Sequence, residues 1–351
     1  MSVTETINAP RELAIRVPET LAEALDPAWL SEALGRSVAS AETVEVIKTV
    51  ATKVRFAAKF ADGTTENFCL KGLLDTDEMG RMGGSTCVLE GDFYLKLAPL
   101  LDVQVPEAVA VVSDREAKQS VLIMRDLIVA GGRFCSALEA FTADQAADSV
   151  TQLAHLHAGS ALLQQFDWIG PRAAQLARMS HMTAEILQGL LDDPRGVNLT
   201  PDVRNGARLI EGMKALADRS ETWPQFLVHG DAHAGNIFRT AKGSGLIDWQ
   251  VLQRGTWAID VAYHLCAVLP VELAETEERR LLNHYLGLAR GLGLTLPDRD
   301  EAWLQYREAV MYGYYMWGIT RRVDPPIIRQ FTDRLGRAVM RHDSFALLGV
   351  G

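Results

Sequence analysis

The stretch LVHGDAHAGNIF, residues 227–238, sets His229, Asp231, His233 and Asn236 between apolar flanks, and GLIDWQ, residues 245–250, adds Asp248 after a short apolar run. Three chemistries use such residues. An HxDxH pattern can present metal ligands from a tight loop, as a metal-dependent hydrolase requires. Asp and Asn also cap turns without any further role. Phosphoryl transfer from a nucleotide needs one acid to orient the acceptor hydroxyl, then an amide oxygen and a second carboxylate as hard ligands for magnesium. Asp231, Asn236 and Asp248 fit those three places in chain order. The hydrolase needs more ligands, and the other histidines form no second cluster except His155 and His157. A helix would point that pair apart, roughly 200° around its axis.

The elements that must hold these residues follow from composition and period. Residues 43–50, 53–60 and 64–71 are short, rich in β-branched and aromatic residues and separated by turn-like pieces, which predicts an antiparallel meander. A glycine-rich loop follows, then an amphipathic helix to about Leu97 with Ser85 or Thr86 as its N-cap. Two more strands are expected near 108–113 and 120–125. From Ala143 the period becomes helical, with Thr142 as cap, and helices are expected over roughly 173–191, 201–217, 271–291, 299–319 and 326–346. Only residues 226–250 interrupt them. The layout is an α+β chain of two lobes: a small antiparallel β-sheet lobe with one helix, residues 1–126, and a larger, mainly helical lobe, residues 127–351. A cleft between such lobes is the default ligand site.

HGDAHAGNIF followed by LIDWQ resembles the HxDxxxxN signature and distal metal-binding Asp of the aminoglycoside phosphotransferase and choline kinase superfamily. The resemblance implies a protein-kinase-like fold, with Asp231 as catalytic base or orienting acid, Asn236 and Asp248 as magnesium ligands, and His229 as a support of the loop. It implies that Asp260, in WAIDVAYHL, buttresses the same loop. A kinase also needs a cation over the nucleotide phosphates, anchored by an acid. FCLKG places Lys71 at the end of the third strand and CVLEGDFYLKL places Glu90 in the next helix, an arrangement similar to the ecdysteroid-kinase-like branch. SVLIMRDLIVAGG resembles the family's hinge, so the backbone near Asp126, Leu127 and Ile128 is expected to meet adenine; Arg125 stands where a Glu is usual.

These residues imply a kinase using ATP or GTP with Mg2+ to phosphorylate a hydroxyl of a small molecule. The turn KTVATKV, residues 48–54, lacks the glycine with which many kinases approach phosphate, and this motivates the alternative of a nucleotide-binding pseudokinase without turnover. For the acceptor, the helix over 302–319 carries Trp303, Tyr306, Tyr312, Tyr314, Tyr315 and Trp317. Such a stripe is either core packing or a face for a lipophilic or aromatic alcohol, an antibiotic among them. Glu272, Glu275, Glu277 and Glu278 sit in a strongly charged helix and are expected to be solvated.

Composition narrows the remaining classes. A net charge of −10 with scattered basic residues gives nucleic-acid binding little support. No apolar run approaches the length of a membrane span. The N-terminus has acidic residues and prolines rather than a basic head and apolar run, so a cytoplasmic protein is expected. Four dispersed cysteines form no CxxC pair and are expected as buried thiols. Monomer and homodimer both remain open.

Overall fold

The computed structural model describes residues 10–49, 51–81 and 83–351. The reading of the first nine residues, Val50 in the glycine-free turn and Met82 in the glycine-rich loop lie outside them. Contacts divide the chain into two compact units. One runs to Arg133 and takes in Ile247–Gln250; the other comprises Phe134–Leu246 and Val251–Gly351.

The first unit is built on six strands: β1 (Arg11–Leu13), β2 (Val38–Lys48), β3 (Thr52–Phe60), β4 (Thr65–Gly72), β5 (Ala108–Asp114) and β6 (Gln119–Arg125), ordered β1-β5-β6-β4-β3-β2. Only β1 pairs in parallel, with β5. The expected meander is β2 to β4, although β2 starts five residues earlier than its composition indicates. Strand alternation puts Val54, Phe56, Ala58, Leu70, Ala110, Val112, Val121 and Ile123 on one buried face. Val17, Ala24, Leu30 and Ala33 complete that core, so the segment before β2 packs on the sheet. Its helix α1 (Pro27–Leu34) is fixed at its start by the Asp26 side chain, which accepts from the N–H groups of Ala28 and Trp29.

Helix α2 (Gly84–Asp92) corrects one detail: its N-cap is Gly83, and Ser85 and Thr86 lie inside the helix. Close packing explains the change. A Cβ at Gly84 would stand 2.0 Å from the carbonyl oxygen of Lys118, so the glycine lets the helix start against the β5–β6 turn. A π-helical turn, Phe93–Leu97, carries the coil to the expected end.

In the second unit α3 (Ala143–Ala158) begins with a Thr142 and Gln145 capping box. The single helix expected over 173–191 is two, Arg172–Ala177 and Ala184–Asp192. Thr183 caps the second by accepting from Ile186 N–H, which competes with helix continuation. Then come α4 (Gly206–Ser220), α5 (Trp257–Val268), α6 (Val271–Gly291), α7 (Arg299–Ile319) and α8 (Pro325–His342). The last helix stops earlier than expected because Asp343 turns left-handed, φ 53°. Phe226–Val228 pairs antiparallel with Gln253–Gly255, and Ile237–Thr240 forms a hairpin with Gly243–Leu246. Among the described residues no helix is long and apolar enough to cross a membrane.

Candidate active site

In the first unit the end of β4 places Lys71 within 2.7 Å of Glu90 on α2. Asp248, from the short piece Ile247–Gln250, brings its Oδ1 to 3.0 Å from the same ammonium group. Lys71 and Glu90 are buried, at 5% and 4% exposure. Burial alone would lower the Lys71 pKa, but Asp248 and Glu90 outweigh it and hold the ammonium charged. Burial pushes the Glu90 carboxyl up, and Lys71 pulls against it. The Trp249 backbone N–H donates to Glu90 at 3.2 Å, and the Trp249 ring stacks on Phe93 at 3.7 Å. These contacts fix Asp248, whose φ of 67° is left-handed, a conformation Asp tolerates better than most residues.

After β6 the chain makes a tight turn. The Asp126 carboxylate accepts from Arg55 Nε at 2.9 Å and from the N–H groups of Ile128 and Val129. Asp126 donates its own N–H to Asn67, its carbonyl accepts from Ala130, and the Leu127 carbonyl accepts from Gly132. Asp126 thus shapes the turn that carries Leu127 and the exposed Ile128.

In the second unit the loop from His229 to Asn236 hangs on Asp260, which is fully buried on α5. Its two oxygens accept from the backbone N–H groups of His229 and Gly230, each at 2.7 Å. His157 Nε2 lies 3.2 Å from the same carboxylate, and its Nδ1 is 2.7 Å from the Tyr285 hydroxyl. His229, also buried, accepts from Asp231 N–H through Nδ1 at 3.1 Å, so its imidazole fixes the backbone of the catalytic candidate. Gly230 has φ 79°, and a Cβ there would stand 2.3 Å from Gln253 Nε2 and 2.6 Å from the Val251 carbonyl oxygen. Only glycine fits that corner.

Asp231 is oriented through both carboxylate oxygens. Tyr263 donates its hydroxyl to Oδ1 at 3.0 Å, and Asn236 donates Nδ2 to Oδ2 at 3.1 Å and to the Asp231 carbonyl at 2.9 Å. Trp317 in turn donates its indole N–H to the Tyr263 oxygen at 2.6 Å. Burial, reinforced by Asp231, pushes the Tyr263 pKa well up, so the phenol remains a donor. Tyr312 donates to the Gly230 carbonyl at 2.8 Å and receives from Gln253. His264, with Ser149 at Nε2, bonds the Ala232 carbonyl through Nδ1 at 2.7 Å.

The metal-hydrolase alternative does not fit this geometry. His229 spends Nδ1 on Asp231 N–H and His233 spends its own on Gly235 N–H. Among the described residues the group able to surround a metal is Cys266, Glu278 and His342, not HxDxH. With Nδ2 tied to Asp231, Asn236 keeps its amide oxygen, and Asp248 is a carboxylate; each is a hard oxygen donor of the kind magnesium takes.

Two acceptor readings change. Tyr306, Tyr312, Tyr314, Tyr315 and Trp317 are all buried and their polar atoms are bonded, so these five belong to the core, while Trp303, half-buried, stacks on Tyr306 at 5.3 Å. Glu272 and Glu275 are exposed as expected, but Glu278 is 3% exposed, gripped by Arg341 at 2.6 Å and by the Tyr306 hydroxyl at 2.8 Å. Sequence reasoning also passed over Tyr263, Trp317, Tyr312 and Gln253 as supports of the loop.

A sequence model of the phosphotransferase enzyme family (APH) matches residues 85–302, more than half of the chain. The chain belongs to that family. Thiamine kinases of Escherichia coli K12 and Shigella flexneri are 31% identical over 123 residues, 34% of this chain. The chain spans 43% of the length of those relatives. Among solved structures, Plasmodium vivax ethanolamine kinase matches at a TM-score of 0.50 and 15% identity, covering 86% of this chain and 82% of that one. Choline kinase from Cryptosporidium parvum matches at 0.50 and 10% identity, covering 93% of each. The α+β, protein-kinase-like fold is shared with these kinases.

Proposed function

We propose that this protein is a kinase that transfers the γ-phosphoryl group of ATP or GTP to a hydroxyl of a small organic molecule. The observation that carries the reading is the buried Lys71, held charged between Glu90 and Asp248. A core position that retains a cation between two carboxylates is costly for folding and suited to gripping a polyphosphate. The names of the relatives, all small-molecule kinases, support the acceptor class; with five of the six aromatic residues of α7 buried, no preference for a lipophilic alcohol is retained.

In this reading Lys71 steadies the nucleotide phosphates and the Asp126–Ile128 turn borders the adenine. Magnesium, held by Asn236 and Asp248, supplies charge neutralisation when bound. Asp231 accepts a hydrogen bond from the acceptor hydroxyl and directs a lone pair of that oxygen at the γ-phosphorus. The new O–P bond forms as the bond to the β-phosphate oxygen breaks, ADP or GDP leaves, and the hydroxyl proton passes to Asp231 and then to water. Because Tyr263 and Asn236 already donate to this carboxylate, its main contribution is orientation. His229 and Asp260 hold the backbone of the loop.

The test is ADP release with Mg-ATP across a panel of hydroxylated small molecules, wild type beside Asp231→Asn. Acceptor-dependent release should fall by about three orders of magnitude or more in the variant, with ATP affinity nearly unchanged. Comparable turnover in the variant would overturn the role of Asp231. A wild type that binds ATP but transfers to no acceptor would favour the pseudokinase.

A further inference from the structure

The turn joining β2 to β3 contains no glycine, and its two described residues bond to each other. Thr49 donates both its N–H and its hydroxyl to the Ala51 carbonyl, at 3.2 and 3.1 Å. An N–H spent inside the turn is not offered to a phosphate. A cation stands close by. The β3–β4 register sets Lys53 directly opposite Lys71, so both side chains leave the same face of the sheet, away from the core face of Val54 and Phe56. Two ammonium groups placed so repel each other unless an anion lies between them. Asp248 serves that purpose, with Oδ1 3.0 Å from Lys71 and Oδ2 4.0 Å from Lys53. The lysines differ in access: the Lys71 side chain is 5% exposed and that of Lys53 28%.

The same face continues with Ala57, Cys69 and Met124, all half-buried, and with Arg55, which is tied to Asp126 and Glu45. A half-open apolar strip that ends at two lysines matches a nucleoside whose polyphosphate terminates at the cations.

We propose that Lys53 is a second phosphate-binding lysine, specific for nucleoside di- and triphosphates, that takes the place of the missing glycine-rich turn. The inference rests on the nucleotide reading given above and adds to it. A phosphate oxygen replaces Asp248 as the counter-ion of Lys53, while buried Lys71 stays anchored by Glu90. Side-chain charge thereby does what backbone amides do in glycine-rich turns.

The experiment is calorimetric titration of the full-length protein with ATP, ADP and adenosine in the presence of magnesium, for wild type, Lys53→Gln and Lys53→Arg. Lys53 is half-exposed, so the glutamine variant should fold, and its thermal midpoint without ligand checks this. Lys53→Gln should weaken ATP and ADP by about tenfold and leave adenosine unchanged, and Lys53→Arg should recover most of the loss. If Lys53→Gln binds ATP within about twofold of wild type, or loses adenosine as strongly as ATP, the inference falls and the nucleotide reading stands. A wild type that binds neither ATP nor ADP overturns both.

Discussion

Asp260 fixes the His229–Asn236 loop through charge-assisted bonds, each oxygen receiving a backbone N–H at 2.7 Å in a site closed to water. Hydrogen bonds to a buried carboxylate are worth more than neutral ones, and a donor left without a partner there bears a desolvation cost. Replacing Asp260 with Asn keeps the shape but removes the charge and turns one acceptor into a donor facing an N–H. Asp260→Asn should lower stability by about 2–4 kcal/mol, read as a shift of the urea midpoint, and reduce turnover with it. An unchanged midpoint would mean that the loop does not depend on this carboxylate. The candidate residues stood out in the sequence because their signal is local: Asp231, Asn236 and Asp248 lie within eighteen residues of each other. Their supports were not, since Tyr263 and Trp317 reach Asp231 from helices whose aromatic content reads as ordinary core.

At the scale of elements, α5, α6, α7 and α8 lock together around Glu278. Arg341, the Tyr306 hydroxyl and His342 converge on it, while the Cys266 thiol lies 3.6 Å away. Burial raises the Glu278 pKa and these partners overcome it, so the carboxylate is held below its ordinary range. Substituting Gln would leave the half-buried Arg341 without its counter-charge. Glu278→Gln should therefore cost about 2–4 kcal/mol, whereas Glu272→Gln on the exposed side of α6 should cost almost nothing; equal small effects would contradict this packing. The position was open to discovery from sequence, because Glu278 shares the helical stripe of Ala274, Leu281, Leu282 and Tyr285. Four nearby acids drew the eye to charge instead of period. Helix α5 was missed for the opposite reason: every residue from Trp257 to Val268 is buried, so no polar face marks a helical period. The strands β3 to β6 and helices α6 and α7 were legible almost to the residue, because one of their faces alternates cleanly or their caps are strong, as Asp298 is for α7.

For the whole molecule, pH links the loop to global stability. Burial lowers the His264 pKa from its ordinary 6.5 to about 4, opposed by its bond to the Ala232 carbonyl. The unfolded chain takes up a proton below pH 6.5 and the folded chain only near pH 4, so the unfolded state binds more protons in that window and stability rises with pH there. Acidification from pH 7 to 4.5 should thus lower the unfolding free energy by up to about 3 kcal/mol from this group, read from urea denaturation at each pH, and His264→Gln should flatten that part of the profile. A variant profile parallel to wild type would assign the acid sensitivity elsewhere. The segment before β2, which sequence left unassigned, contributes Val17, Ala24, Leu30 and Ala33 to the core of the first unit. Its helices were too short to announce themselves by period.

The kinase reading stands or falls first on nucleotide and metal. The most direct measurement is a thermal-shift titration with ATP and magnesium, wild type beside Asp248→Ala. Ligand that binds only the folded chain raises the midpoint in proportion to its concentration over Kd. Stabilisation by ATP with magnesium, lost in Asp248→Ala, is the expected result. If millimolar ATP and magnesium leave the wild-type midpoint unmoved, the charged group of Lys71, Glu90 and Asp248 does not serve a nucleotide, and the proposed activity is contradicted.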